Sequence, residues 1–132
     1  MLGGYFYRII LMSEHAIQAA FIEWVRWQEG YNPVLKLSFS IPNGGARHAS
    51  TANMLKAEGV RAGVPDWHLP IPMGGYNGLW IEFKFGKNKL SNAQKDFIEY
   101  LKYHKHKVCI CYSTENAIKE VEEYLKYNER EK

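Results

Sequence analysis

The chain is poor in cysteine and has no long apolar segment. Its 132 residues include only Cys109 and Cys111, too few for a disulfide framework or a zinc site built from four thiolates. No apolar run approaches the ~20 residues that span a bilayer. Residues 1–11 carry one positive charge and no small-residue cleavage site, which is untypical of a signal peptide. A glycine-rich phosphate loop ending in Gly-Lys-Ser or Gly-Lys-Thr is also missing, which argues against nucleotide hydrolysis.

Charge and length set only broad limits. The formal net charge is +3, which is compatible with a polyanionic partner but is weak support for one. A chain of this length predicts a single domain over residues 1–132. Residues 1–11 are expected to be a dispensable extension, with an added strand as one option, because Met12 offers a second start. The polar tail, residues 128–132, is expected to be frayed.

Hydrophobic periodicity predicts an alternation of helices and strands. In chain order it indicates a helix capped by Ser13 and ending at Gly30, a strand Leu35–Ile41, a short helix 49–58, strands Asp66–Ile71 and Leu79–Phe85, a helix with a Ser91/Gln94 capping box, a strand Val108–Tyr112 and a last helix capped by Thr114. The short helix has an expected apolar face of Ala52, Met54 and Leu55. This order predicts an α/β fold with a mixed central sheet flanked by helices. The step from Leu79 to Tyr112 should be a parallel crossover.

Asp66, Glu82 and Lys84 are the most informative residues. Asp66 follows Pro65 and precedes Glu82 by 16 residues, enough for a strand, a turn and the start of a second strand. Because side chains alternate along a strand, Glu82 and Lys84 share one face. The other face is apolar and consists of Leu79, Ile81, Phe83 and Phe85. Carboxylates are hard ligands for magnesium, and an ammonium group can sit beside a scissile phosphate or an attacking water.

A structural interpretation of these residues is also open. Pro-Asp is a common turn dipeptide, and Glu-x-Lys on a strand is often a solvated pair. Two features favour chemistry. The strand around Glu82 is otherwise apolar and aromatic, as an interior strand is. Glycines precede Asp66 and separate the two strands, as a hairpin requires, at Gly63, Gly74, Gly75 and Gly78.

Taken together, the motifs resemble those of a virus-type replication-repair nuclease (VRR-NUC) domain of the PD-(D/E)xK nuclease superfamily. The resemblance runs from about Glu14 to Leu125. Its motifs are Glu14-x-x-x-Gln18, Asn43-Gly44-Gly45-x-Arg47, Gly63-Val64-Pro65-Asp66, Ile81-Glu82-Phe83-Lys84 and Leu90-Ser91-x-x-Gln94. Each is weak alone, but five in order are fairly specific. The family implies a restriction-endonuclease-like core in the order α-β-β-β-α-β, and a phosphodiesterase that uses Mg²⁺ or Mn²⁺ on DNA.

The resemblance implies a role for each catalytic position. Asp66 and Glu82 would hold the metal, with the main-chain carbonyl of Phe83 as a third ligand. Lys84 would orient or deprotonate the attacking water and offset charge on phosphorus. Glu14 would complete the site as a ligand or through a bound water, although an acid in the first turn of a helix also has a structural reason.

Other positions are expected near the site or on the DNA. Gln94 would contact a site residue or a phosphate, in addition to its place in the capping box. The candidate DNA contacts are Asn43, Arg47, Lys87 and Lys89, with a plain surface arginine as the alternative for Arg47. Tryptophans are interpreted as core or dimer-interface residues rather than as stacking platforms for bases, namely Trp24, Trp27 and Trp80.

Small free-standing relatives resemble Holliday-junction resolvases, and the chain leaves no room for the extra domains of larger ones. We therefore expect a homodimeric resolvase that cuts four-way DNA junctions, located in the cytoplasm of a bacterial or phage-infected cell, with no membrane partner. The alternatives are a monomeric flap or single-strand nuclease, a non-cutting DNA-binding scaffold, and an unrelated α/β protein with an accidental Asp/Glu/Lys set. A scaffold should have lost Asp66, Glu82 or Lys84, and all three are present.

Overall fold

The computed structural model describes residues 13–42 and 49–127. Its elements are α1 (Glu14–Gln28), a 3₁₀ helix (Pro33–Leu37), β1 (Phe39–Ser40), α2 (Ala49–Ala57), β2 (Trp67–Leu69), β3 (Leu79–Phe83), α3 (Asn92–Tyr103), β4 (Lys107–Cys111) and α4 (Thr114–Lys126). No helix in these two ranges is long and apolar enough to cross a membrane. The expected extension at residues 1–11 and the tail at residues 128–132 lie outside the described residues.

The four strands form one mixed sheet in the order β1-β2-β3-β4. β1 pairs with β2 and β2 with β3 in antiparallel fashion, whereas β3 and β4 are parallel. The predicted α/β architecture and the parallel step from β3 to β4 are therefore confirmed. The register places Ile81 between Trp67 on one side and Cys109 on the other.

The main hydrophobic core lies between one face of the sheet and helices α1 and α4. Phe21 of α1 meets the Trp67 ring edge-on at 5.0 Å and the Phe83 ring at 5.4 Å between centroids. The fully buried core side chains of the sheet and α4 include Leu69, Leu79, Ile81, Val121 and Tyr124. Each such side chain contributes roughly 1.5–3 kcal/mol through burial. Because alternate residues of β3 face this core, Trp80 and Glu82 point to the opposite face, which for Glu82 was predicted.

Capping side chains fix where the helices begin. The Ser13 hydroxyl accepts a hydrogen bond from the Ala16 amide at 3.0 Å, which confirms the predicted start of α1. Ser91 and Gln94 form the predicted capping box at the start of α3. The prediction that Thr114 caps the last helix was wrong. Ser113 has the extended backbone of a cap and accepts from the Asn116 amide, so the Thr114 hydroxyl is free to donate to the Ile17 carbonyl of α1 at 2.9 Å.

The predicted strand Leu35–Ile41 is mostly wrong, because its first half is a 3₁₀ helix. Pro33 occupies the first position, where its fixed φ suits a helical turn and its missing N–H costs nothing. Leu35 is buried but Leu37 is exposed, so their spacing does not mark one face of a strand. Only Phe39 and Ser40 pair as β1.

Helix α2 confirms the predicted short helix, but the expected inward face was wrong. None of its residues is buried, and Met54 is largely exposed. The core face of the sheet is already covered by α1 and α4, which leaves α2 at the surface.

Gly63 lets the segment before β2 lie directly against the start of α3. Its φ is +89°, a backbone angle that residues with a side chain rarely adopt. A Cβ atom at Gly63 would lie 2.4 Å from the Ala93 carbonyl oxygen and 3.0 Å from the Gln94 amide nitrogen. This contact sets the position of the first turn of α3 relative to the strand that follows Gly63.

We expect Gly63→Ala to destabilise the protein by clearly more than Gly59→Ala. Both glycines have positive φ, so both alanines pay backbone strain of about 1–2 kcal/mol. At Gly63 the new Cβ atom would also collide with backbone atoms of α3, and this overpacking lowers the unfolding free energy by roughly a further 1–3 kcal/mol. At Gly59 no atom lies within 4 Å of the new Cβ atom. Urea unfolding of both variants measures the difference, and equal losses would contradict the close contact.

Candidate active site

Asp66 and Glu82 lie opposite each other on neighbouring strands. The antiparallel register pairs Trp67 with Ile81, so the next positions bring Asp66 opposite Glu82. Directly opposed side chains share one face, with Cβ atoms about 4.5–5.5 Å apart. The two carboxyl groups therefore meet on the sheet face that points away from the main core.

The backbone at Phe83 is arranged around the Asp66 carboxylate. The Phe83 amide donates to Asp66 Oδ2 at 2.8 Å, while the Lys84 amide donates to the Cys111 carbonyl of β4 at 3.0 Å. Since the N–H and C=O of one strand residue point to the same side, the Phe83 carbonyl also points towards β2. The same register places Pro65 opposite Phe83, and proline has no N–H to donate to that carbonyl.

Glu82 is a buried carboxyl with one unsatisfied oxygen. Its residue is 2% exposed, and Oε2 accepts a hydrogen bond from Gln94 Nε2 at 3.0 Å. Glu82 Oε1 is buried and receives no hydrogen bond from a fixed donor of the described residues, so a proton shared with the opposed Asp66 carboxyl group is what can satisfy it. Because an unsatisfied buried oxygen costs free energy, such an atom is suited to a cation.

Lys84 and Glu14 complete the cluster. Lys84 is buried, and its Nζ lies 3.7 Å from Glu82 Oε2 and 4.0 Å from Glu14 Oε1. Glu14 enters from the first turn of α1, and its Oε2 accepts from Asn88 Nδ2 at 3.1 Å. The main-chain carbonyl of Asn88 in turn accepts from the Tyr112 hydroxyl at 3.1 Å. Side chains from α1, β3, the turn after β3 and the end of β4 thus hold one charged network.

The environment keeps a proton on the carboxyl pair at neutral pH. Burial, together with the neighbouring Asp66 carboxylate, raises the pKa of Glu82 to about 8, while the Lys84 ammonium opposes the rise. Burial also raises the pKa of Asp66 above its ordinary value, against the Phe83 N–H, which favours the ionised form. Two carboxyl groups this close titrate as a pair, since both cannot ionise cheaply without a cation between them.

The donor set fits a hard divalent cation. Asp66, Glu82 and the Phe83 carbonyl would hold it, since oxygen atoms of these types are what Mg²⁺ and Mn²⁺ prefer. Within residues 13–42 and 49–127, no three His, Cys, Asp or Glu side chains are grouped as a metal site. Glu14 lies next to this set, where its carboxylate contacts Lys84 and accepts a hydrogen bond from Asn88.

The structure brings most of the predicted site residues together. They are Asp66, Glu82, Phe83, Lys84, Glu14 and Gln94. Lys87 and Lys89 are exposed on either side of Asn88 in the turn between β3 and α3. The predicted DNA contacts Asn43 and Arg47 lie outside the described residues.

Sequence reasoning missed Asn88 and Tyr112. Asn88 is 74 residues from Glu14 along the chain, and its place between Lys87 and Lys89 indicates only a polar turn. Tyr112 is the end of a predicted strand, with nothing in the sequence to link its hydroxyl to the Asn88 carbonyl. Neither residue belongs to a motif that sequence inspection would mark.

We expect Glu82→Gln to stabilise the protein in EDTA at pH 8 by about 1–3 kcal/mol. Because the pKa of Glu82 is raised on folding, its favourable contribution is complete below the unfolded pKa and is lost as pH rises towards 8. Glu82→Gln lacks this loss, so the difference in unfolding free energy between parent and variant should disappear near pH 4–5. Urea unfolding between pH 4 and 9 measures this difference. Parallel pH profiles for parent and variant would contradict the account, and exposed Glu99→Gln serves as the control.

Comparisons with known proteins identify the family of the chain. The model of the VRR-NUC domain family matches residues 12–115. A solved structure of a VRR_NUC domain protein is similar with a TM-score of 0.71 and 27% sequence identity, covering 88% of this chain and 90% of that chain. No curated protein matches the chain. The chain therefore belongs to the VRR-NUC domain family and is a nuclease of the PD-(D/E)xK type.

Proposed function

We propose that the protein is a metal-dependent, structure-specific DNA endonuclease that resolves four-way junctions as a homodimer. The observation that carries this proposal is the opposed pair Asp66 and Glu82, which leaves a buried Glu82 oxygen unsatisfied beside the buried Lys84. A non-cutting scaffold has no need for two buried and opposed carboxyl groups, because their joint ionisation is costly.

Asp66, Glu82 and the main-chain carbonyl of Phe83 would hold the metal. A bound Mg²⁺ or Mn²⁺ would supply polarisation of the scissile phosphate and a lowered pKa for water. Gln94 keeps the Glu82 carboxylate in place through its 3.0 Å hydrogen bond. Because the capping box fixes the Gln94 side chain at the start of α3, the orientation of Glu82 depends on where that helix begins.

Lys84 would act on the reacting groups. Its ammonium is buried next to the carboxyl pair, where its charge is screened little by water. There it would orient the attacking water and offset the negative charge that develops on phosphorus. In-line attack then breaks the bond to the 3′ oxygen and leaves 5′-phosphate and 3′-hydroxyl ends. Glu14 and Asn88 would hold Lys84 on the reacting side, since Glu14 bridges the two.

DNA would approach over the turn between β3 and α3. Lys87 and Lys89 are exposed there and would contact backbone phosphates, so binding should weaken as salt rises. Arg47 and Asn43 are proposed as further DNA contacts. Resolution of a four-way junction needs two cuts, which a symmetric dimer supplies from two copies of one site. The exposed apolar side chains of Trp27, Tyr31 and Leu37 offer a surface for that contact.

We expect metal-dependent, symmetric cutting of a four-way junction, with Lys84→Ala at least about 100-fold slower than the parent. End-labelled synthetic DNAs (a junction, a 5′ flap, a splayed arm, a duplex and a single strand) are incubated with Mg²⁺, Mn²⁺ or EDTA. Exposed Lys119→Ala removes the same charge from α4 and should cut like the parent. Light scattering of the free protein should give the mass of a dimer.

The other outcomes separate the alternatives. Cutting only at flaps or single strands by a monomer would keep the nuclease and overturn the resolvase. No cutting of any DNA, with junction binding retained, would favour the scaffold. Unchanged cutting by Lys84→Ala would remove Lys84 from the chemistry.

A further inference from the structure

Two neighbouring rows of side chains cross the sheet on the face opposite the main core. One row contains the opposed carboxyl groups of Asp66 and Glu82. The adjacent row lies two residues along the strands and contains Phe39, His68 and Trp80, which the register aligns across β1, β2 and β3. Because two residues of a strand span about 6.6 Å, the ring row lies immediately beside the carboxyl row.

The three rings of this row are in contact, two of them stacked and the third perpendicular to its neighbour. The His68 ring lies parallel to the Trp80 ring, with 3.7 Å between centroids and 15° between planes. The Phe39 ring meets the other side of His68 at 5.7 Å and 89°. Such parallel and edge-to-face contacts are the favoured aromatic geometries. The row therefore extends from β3 to the edge of the sheet.

Hydrogen bonds and tight packing hold the inner rings in place. His68 Nδ1 donates to the Leu79 carbonyl at 3.0 Å, and Trp80 Nε1 donates to His106 Nδ1 at 3.1 Å. A Cβ atom at Gly78 would lie 2.9 Å from His68 Cε1, so this side of the row is filled. The inner rings are thus a rigid support rather than a mobile group.

Phe39 is the member of the row that faces solvent. His68 is 9% exposed but Phe39 is 51% exposed. A single exposed phenylalanine needs no explanation by itself. This one ends a supported aromatic stack, on the same face as the Asp66 carboxylate and two register positions from it. The ring row lies on the other side of the carboxyl row from Lys84, so a DNA strand that enters over the turn after β3 and crosses the carboxyl row would reach Phe39 next.

We propose that Phe39, supported by His68 and Trp80, is a stacking site for an unpaired base of DNA next to the scissile phosphate. The inference rests on the proposed nuclease function and adds a substrate feature to it. A neutral ring offers no contact to a phosphate, whereas every base has a π-face that stacks on an aromatic side chain regardless of sequence. The preferred DNA would then have at least one unpaired base beside the cut, as at a branch point or a flap.

The test is a double-mutant cycle between Phe39 and individual bases. Binding of junction and flap DNAs is measured with Ca²⁺ in place of Mg²⁺, for the parent and for Phe39→Ala. An abasic site is placed in turn at each position flanking the cut. We expect Phe39→Ala to weaken binding of intact DNA about 5- to 100-fold, and to have no further effect once the stacked base is missing.

Matched variants separate stacking from other roles. Phe39→Trp should retain the affinity of the parent, because a larger ring also stacks. Tyr103→Ala removes another exposed ring, at the end of α3. This variant should bind intact DNA and each abasic DNA with the affinity of the parent. Phe39→Ala should bind a fully paired duplex like the parent.

Three results would overturn the stacking site. They are an equal effect of Phe39→Ala on intact DNA and on every abasic DNA, no effect on any DNA, and a change in the mass of the free protein without a base-dependent change in binding. The last result would make Phe39 a contact between protein subunits.

Failure of the proposed function is a separate outcome, since it is read from the cutting of DNA with Mg²⁺. Base-dependent binding without cutting would keep the stacking site and reject the nuclease mechanism. Cutting in Mg²⁺, with an effect of Phe39→Ala that does not depend on any base, would keep the nuclease mechanism and reject the stacking site.

Discussion

The opposed carboxyl groups of Asp66 and Glu82 are the constraint on which the rest of the site depends. Their approach is imposed by strand register, and burial makes their joint ionisation costly. Lys84 offsets part of this cost, and Gln94 satisfies one Glu82 oxygen. The second Glu82 oxygen receives no hydrogen bond from a fixed donor in the described part of the chain. The pair therefore holds a proton in metal-free solution, and a divalent cation is proposed to replace that proton.

One face of the sheet stabilises the fold, and the other face carries the candidate active site. One face packs Trp67, Ile81 and Phe83 against α1 and α4, and this apolar layer supplies most of the burial. The other face can therefore carry polar and aromatic groups that contribute little to stability or oppose it. Contacts at the ends of helices connect the two faces, because Glu14 is the first residue of α1 and Gln94 lies in the first turn of α3. Changes that move either helix start would alter the site without touching its carboxyl groups.

Much of this arrangement could be predicted because it follows from local rules. Alternation along a strand predicts that Glu82 and Lys84 face away from Ile81, and the capping box predicts the start of α3. The predicted strand at residues 35–41 failed because Pro33 favours a helical turn, which the alternating pattern does not register. Contacts between segments that are distant in the sequence could not be predicted. Asn88 meets Glu14, and His68 stacks on Trp80, only because strand register and turn geometry bring them together, and Trp80 was interpreted as a core or interface residue without that partner.

The most direct test of the account counts the protons released when metal binds. Calorimetric titration of Mn²⁺ into the protein is performed in buffers of different ionisation enthalpy, at pH 7 and at pH 9. If the Asp66–Glu82 pair holds a proton that the cation replaces, about one proton per Mn²⁺ is released at pH 7 and close to none at pH 9. Glu82→Gln should abolish the release at pH 7. Binding of Mn²⁺ without proton release at pH 7, or release that Glu82→Gln leaves unchanged, would contradict the account.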